Sequence, residues 1–340
     1  MNSNLEEIVP GFYKISLPVP IPSLKNVFVY LVSDKGHSLL IDTGWAGAES
    51  YRVLRSSFDS LDFELHSLEK IVISHLHPDH FGLMSRLKKE VPGVILLMHG
   101  GDARQIRTNT YQMKPFWTSM RNWMHENGVP SGKLAEIVRA NEELLGENYP
   151  IECDTKLREG EKLRVGRFAL EVIHTPGHTK GSICLYDRSN KLLFSGDHIL
   201  PTITPNISLS PSYPENPLRD YLESLHKLRS IRVSKVLPSH QYVFTDLQPR
   251  IREIERHHME RLRDCQQVLD FRPDPDRPAL FSAFEIASKL EWYSGPWETL
   301  GPWGMRAALG ETAAHLEYLH SQKKISRQKS RGKTFYRLRS

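Results

Sequence analysis

Residues 75–80 read His-Leu-His-Pro-Asp-His and follow directly on the apolar run KIVIS at 70–74. In an extended segment leaving a strand, residues two apart point the same way, so His75 and His77 present their rings to one point. The turn at Pro78 then swings Asp79 and His80 toward a neighbouring point. Imidazole and carboxylate groups at this density are ligands for a divalent cation. A site built from loops must collect its other ligands from distant parts of the chain, and three stand just past the end of a β-type run. These are His178 in HTPGHTKGS, Asp197 at the end of KLLFSGD and His240 at the end of KVLPSH. The expected grouping is His75, His77 and His178 on one ion and Asp79, His80 and His240 on a second, with Asp197 bridging them. Zn²⁺ suits such ligands, and iron or manganese share the preference. The three cysteines, Cys153, Cys184 and Cys265, are far apart and form no C-x-x-C pair, so thiolates are not the expected ligands. Their scarcity suits a reducing, cytoplasmic setting.

The elements that must position these groups are legible as alternating patterns. Short β-type runs at 12–17, 26–33 and 38–42 are separated by Pro- and Gly-containing turns and predict a β-meander. A helix at 49–58, a strand at 70–74, a helix at 81–90 and a strand at 94–98 follow. A second β-rich block spans 162–195 and leads into a helix at 216–229 and a strand at 235–237. Two β-plus-helix halves imply an α/β (α+β) fold in four layers, with two sheets face to face and helices outside. Residues 99–150 depart from this pattern as a helical insert. Its Met113, Phe116, Trp117, Met120, Trp123 and Met124 recur at three- and four-residue spacing as one apolar face. That face either packs on the body or forms a lid lining a pocket for an apolar ligand.

Beyond residue 247 a charged helical pattern leads to the Pro-rich FRPDPDRP, so the expected organisation is a catalytic domain at 1–247, a helix and linker at 248–277, and a small domain at 278–340. In that last part, helices around 283–290 and 311–322 precede a basic hairpin turning at a Gly, the pattern of a winged helix. Hydrophobic residues at 39% and charged residues at 25% place the chain with globular proteins and exclude disordered, collagen-like and disulfide-scaffold classes. No run approaches the length of a membrane span, and the acidic start MNSNLEEIVPGFYK does not read as a signal peptide. The net charge of +5 is local: residues 323–340 hold eight Lys and Arg and no acid, leaving 37 basic residues against 40 acidic ones. A near-neutral body offers no basic groove for phosphates, which argues against nucleic acid as the partner.

The set IDTG at 41–44, H-x-H-x-D-H at 75–80, TPGHTKGS at 175–182, SGD at 195–197 and PSH at 238–240 resembles the metallo-β-lactamase-fold hydrolase superfamily in order, spacing and flanking residues. The resemblance spans about residues 8–245. Within it the chain is most similar to glyoxalase II-like thioester hydrolases and the β-lactamase-like protein 2 group, which carry a C-terminal winged helix. The resemblance implies an αββα sandwich, the seven ligands above, and Asp42 as a carboxylate behind the metal-bound histidines. It also implies a water activated between two ions, with Asp79 and Asp197 as the carboxylates nearest the reaction. His198 follows Asp197 and either reaches the substrate pocket or points away. The implied activity is hydrolysis of acyl thioesters, with an apolar acyl substrate suggested by the Met and Trp insert. Lactone or ester hydrolysis, and a ribonuclease or nucleic-acid-binding role using the basic wing, are the alternatives. The small domain would pack on the catalytic body or on a second subunit of a homodimer.

Overall fold

The computed structural model describes residues 3–21, 24–107, 114–145, 152–271 and 280–339. Met113 and nearly all of FRPDPDRP lie outside the described residues. The chain forms two compact units, each assembled from three segments. The first comprises Met1–Thr110, Asn148–Pro205 and Ser224–Arg250; the second comprises Tyr111–Glu147, Asn206–Glu223 and Ile251–Ser340.

The first unit opens with strands β1 (Leu5–Val9), β2 (Phe12–Pro18), β3 (Asn26–Asp34) and β4 (His37–Ile41), the expected meander, followed by helix α1 (Ala48–Asp59). Strand β5 (Lys70–Ile73), helices α2 (Pro78–Phe81) and α3 (Met84–Glu90), strand β6 (Ile95–His99) and helix α4 (Gly100–Arg107) come next. After the insert helices α5 (Lys114–Glu126) and α6 (Ser131–Leu145), the chain returns as β7 (Thr155–Leu157). These seven strands form one sheet in sequence order, antiparallel through β4 and parallel from β4 to β7. A second sheet holds β8 (Lys162–Val165), β9 (Phe168–His174), β10 (Ile183–Asp187), β11 (Leu192–Gly196) and, beyond helix α7 (Pro217–Leu228), β12 (Lys235–Pro238).

The sheets share one core. Phe12, Tyr30, Val32, Leu39 and Val72 of the first sheet cluster with Phe168, Leu170, Val172, Leu185 and Phe194 of the second. Strands β10 and β11 are buried at every position, which is why ICLY and LLF read as unbroken apolar runs rather than as alternation. Strand direction then decides where the loops emerge. In the first sheet β4, β5 and β6 run parallel, so the segments after them leave from one edge. In the second, β9 and β11 are both antiparallel to β10, and β12 is parallel to β11, so β9, β11 and β12 also end on a common edge. Asp42, residues 75–80, His178, Asp197 and His240 all follow these strand ends.

One expected helix is divided. The span 81–90 is two helices, with α2 beginning at Pro78, whose fixed φ suits the first helical position and puts Asp79 and His80 in a helical turn. Gly82 follows because a Cβ there would lie 2.3 Å from the Ala46 amide nitrogen and 2.5 Å from the Pro78 carbonyl.

The second unit contains α5, α6, the start of α7, most of α8 (Leu247–Asp270), and α9 (Ala283–Ala287), α10 (Pro302–Ser321), β13 (Ile325–Ser330) and β14 (Lys333–Leu338). Helix α10 starts nine residues before the expected 311, at Pro302 in the first helical position. Strands β13 and β14 form the expected hairpin, turning at Arg331 and Gly332, both with positive φ. Phe281 adds a short bridge to Tyr336 of β14, and Ser282 and Glu285 cap α9 reciprocally. The insert belongs to this unit: α5 packs on α6 and β14, and the carbonyl of Asn127, just past α5, accepts from the Phe284 amide at 3.0 Å. The contiguous boundary expected at residue 247 therefore gives way to an interleaved arrangement. Among the described residues no helix is long and apolar enough to cross a membrane.

Candidate metal centre

The six ligand candidates of the first and second groups, with Asp197, converge at the strand ends. His75 Nε2 lies 3.1 Å from His77 Nδ1, which lies 2.9 Å from His178 Nε2. A single ring nitrogen has either one proton or one in-plane lone pair, so His77 Nδ1 cannot satisfy both neighbours by hydrogen bonding. Three nitrogens facing one another at this spacing match the ~3.3 Å separation expected around one tetrahedral ion with bonds of about 2.0–2.1 Å.

The second group differs in charge. His240 Nε2 is 3.3 Å and His80 Nε2 3.6 Å from Asp79 Oδ2. Asp197 lies between the groups: its Oδ1 is 3.6 Å from His80 Nε2 and 3.5 Å from His240 Nε2, while its Oδ2 is 3.7 Å from His178 Nε2. One carboxylate thus addresses both groups through different oxygens. Among the described residues, sets of three within ligand distance are His75–His77–His178, His75–His80–Asp197 and Asp79–His80–His240.

The residues behind the centre fix which nitrogen each ring turns inward. His240 Nδ1 lies 2.8 Å from the Asn26 carbonyl, which can only accept, so Nδ1 carries the proton. His80 Nδ1 donates to Asp42 Oδ2 at 2.8 Å. The Ser74 hydroxyl also donates to Asp42 Oδ2, at 2.7 Å, which leaves its oxygen to accept from His75 Nδ1 at 3.1 Å. Asp42 Oδ1 accepts from the Ser74 amide at 2.7 Å. In each case Nε2 faces the other ligands, as second-layer hydrogen bonds direct it to do at metal sites. His80 Nε2, His240 Nε2 and Asp197 Oδ1 are buried without a hydrogen-bond partner, an arrangement that costs on the order of several kcal/mol unless a cation occupies the gap. These donors fit divalent ions.

Electrostatics separates the halves. Burial, reinforced by His80, His178 and His77, lowers His75 well below the ordinary histidine value, and burial with His178 brings His77 down to about 3. These rings are neutral, with lone pairs available. Burial also opposes charge on His80 and His240, yet carboxylates outweigh it: Asp79, Asp197 and Asp42 raise His80 well above its usual value, and Asp197 and Asp79 raise His240 to about 10. Burial likewise opposes charge on Asp79, but His80 and His240 bring its carboxyl down to about 2. Ligation by the second group therefore displaces protons.

The residues of the apolar insert face are found on one helix. Met120 and Met124 are buried, as is Phe116, while Trp117 and Trp123 are half-buried, all on α5. Helix α5 packs on α6 and β14, so the buried part of this apolar face contributes to the interior of the second unit. His198 is 2% exposed, and burial with His178 and Lys227 nearby lowers it to about 3, so it is a neutral packed ring rather than a substrate-facing one. Ser74 and the Asn26 carbonyl were not among the sequence candidates; a serine before a histidine carries no signature, and a backbone carbonyl carries none at all.

A model of the metallo-beta-lactamase superfamily matches residues 23–240. The chain is similar to the probable metallo-hydrolase YqjP of Bacillus subtilis, with 27% identity over 323 residues covering 92% of this chain and 93% of that protein. It is also similar to the acyl-coenzyme A thioesterase MBLAC2 of Gallus gallus, with 37% identity over 99 residues, 28% of this chain and 34% of that protein. Among solved structures, the metallo-beta-lactamase family protein TTHA1429 from Thermus thermophilus superposes with a TM-score of 0.81 at 27% identity, covering 98% of this chain and 100% of that one.

Proposed function

The chain belongs to the metallo-beta-lactamase superfamily, and from that membership we propose that it is a metal-dependent hydrolase of acyl thioesters. The observation that carries the hydrolytic part is the pair of His/Asp groups joined by Asp197, with three inward-facing polar atoms that lack a hydrogen-bond partner. The thioester part rests on the likeness to the acyl-coenzyme A thioesterase over 99 residues. His75, His77 and His178 would hold one divalent ion and Asp79, His80 and His240 the other, with Asp197 shared; we take Zn²⁺ as the ion. Ions bound there supply Lewis acidity toward a carbonyl and lower the pKa of water.

The protein's own groups do the positioning. Asp42 and Asn26 hold His80 and His240 with Nε2 inward, and Ser74 does the same for His75. Asp79 Oδ2, 3.3 Å from His240 Nε2, would orient water at the centre, and with its carboxyl held down at about 2 it would act as a weak base. A thiol nucleophile is not offered by Cys184 or Cys265, since burial pushes both up to about 12. We read the helices and basic hairpin of residues 280–339 as a winged-helix-like module.

The test combines elemental analysis of the purified protein with a hydrolysis panel of acyl-CoA and acyl-glutathione thioesters, lactones and single-stranded RNA. The expected result is about two metals per chain, with thioester turnover that disappears in His77→Ala. Cleavage of lactones or RNA alone would refute the substrate class, and less than half a metal per chain after reconstitution would refute the centre.

A further inference from the structure

Asp102 stands outside the ligand set and outside every motif discussed above, yet it is 1% exposed and its carboxylate collects three donors. Its Oδ2 accepts from the Leu76 amide at 2.8 Å and from the Thr179 hydroxyl at 2.7 Å, and its Oδ1 accepts from the Gly181 amide at 2.7 Å. Leu76 lies between His75 and His77. Thr179 follows His178. One side chain, carried by the first turn of α4, therefore ties together the two loops that supply the all-imidazole group.

The surroundings are shaped for this contact. A Cβ on Gly101 would lie 2.6 Å from the Lys180 carbonyl oxygen, and one on Gly181 would lie 2.4 Å from the Asp102 amide nitrogen. Neither glycine needs a positive φ, so what each supplies is room for the start of α4 to close on the 178–182 loop. That loop is braced internally too: the Thr179 amide donates to Ser182 Oγ at 3.0 Å, and the Thr175 amide donates to the Ser182 carbonyl at 2.9 Å. The loop is thus a stiff unit, and Asp102 sets its position against residues 75–77.

We propose that Asp102 is a positioning residue that locks the loop bearing His178 against the segment bearing His75 and His77, so that the three-imidazole group is assembled before an ion arrives. The role rests on the reading of these histidines as metal ligands. It predicts selectivity, because Asp102 touches neither the 79–80 turn nor His240. Asn at this position keeps one acceptor oxygen and turns an amide against a donor, whereas Ala keeps no acceptor, so the effects should be graded.

The experiment uses the full chain as wild type, Asp102→Asn and Asp102→Ala. Zn²⁺ affinities are measured by chelator competition, Co²⁺ absorption reports the two sites, and hydrogen exchange follows the metal-free protein over residues 74–78 and 177–183. The expected result is about 10- to 100-fold weaker binding of one ion in Asp102→Ala, with the other unchanged, and a smaller loss in Asp102→Asn. Faster exchange in both segments of the metal-free variants should accompany it. Two wild-type-like affinities in Asp102→Ala, or equal weakening of both ions with a general rise in exchange, would overturn the proposal. A wild type that binds no ion would instead overturn the metal reading, and with it any metal-positioning role, while the exchange data would still report separately on whether Asp102 ties the loops.

Discussion

Replacing Asp42 by Asn tests the claim that a buried carboxylate decides which nitrogen of His80 faces the metal. The carboxylate accepts three hydrogen bonds, from the Ser74 amide, the Ser74 hydroxyl and His80 Nδ1, all at 2.7 to 2.8 Å. Asp42 has φ +61°, a left-handed conformation that Asn adopts readily and Ala does not, so Asn changes the hydrogen-bond chemistry while leaving the backbone unstrained. The amide offers one acceptor oxygen in place of two. If that oxygen stays with the Ser74 amide, the NH₂ group meets both the Ser74 hydroxyl, which can turn its lone pair to it, and His80 Nδ1–H, which cannot, and the ring must move its proton to Nε2, where a lone pair is needed. Loss of an outer hydrogen bond of this kind weakens metal binding about 10- to 100-fold, or about 1.4–2.7 kcal/mol. A further ~1–3 kcal/mol of folding stability is lost if a buried donor remains unsatisfied. Chelator competition at both sites, with urea unfolding of the metal-free protein, separates the two effects. The reasoning fails if Asp42→Asn binds both ions like the wild type, or if the ion on His75, His77 and His178 alone is released while the His80 site keeps its affinity.

Two other outcomes follow from the packing. Phe194 stacks 5.9 Å from Phe12 and meets the Tyr30 ring edge-on at 5.2 Å between the sheets, so Phe194→Ala should lower the urea unfolding free energy by about 3–5 kcal/mol, and a loss under about 1 kcal/mol would contradict the shared core. In the second unit, His258 Nδ1 lies 3.1 Å from His315 Nε2, and burial, aided on His258 by His315, His257 and Arg261, lowers both rings, His315 to about 3. The unfolded chain binds protons there near 6.5, so this contribution to stability is complete above that pH and declines as pH falls toward 3, by about 2 kcal/mol for His315 alone at pH 5. Denaturation midpoints at about pH 7.5 and 5 should show the loss, and His315→Gln should flatten it; an unchanged slope would refute the assignment.

The architecture was legible because its signals are local. KIVIS leads directly into His75, KLLFSGD and KVLPSH end at Asp197 and His240, and within each sheet parallel neighbours bring such ends to one edge. Asp102 was not legible, since an acid after two glycines at the start of a helix reads as an ordinary first-turn residue, and its partners lie 26 and 77 residues away. The Met and Trp stripe left its partner open for a related reason. Three- and four-residue spacing identifies an apolar face without identifying its partner, and the loop after α5 joins Phe284, more than 150 residues further along. His198 shows the limit at short range: Asp197 turns toward the ligands, while the next residue, in the bend after β11, is 2% exposed.

The interleaving of the second unit also bears on how the chain is made. Translation delivers α5 and α6 long before α9, α10 and the hairpin that complete their surroundings, and the whole second sheet is synthesised in between. Met120, Met124, Leu134 and Ile137, all under 4% exposed in the finished protein, therefore emerge from the ribosome as uncovered apolar surface and wait for the last part of the chain. A nascent chain stalled near residue 250 would hold every ligand candidate and yet present a sticky helical pair, a natural client for chaperones. The same order makes the segment from α9 to β14 a poor candidate for removal as a cassette, because cutting it away would strip the cover from α5 and α6, more than 130 residues earlier.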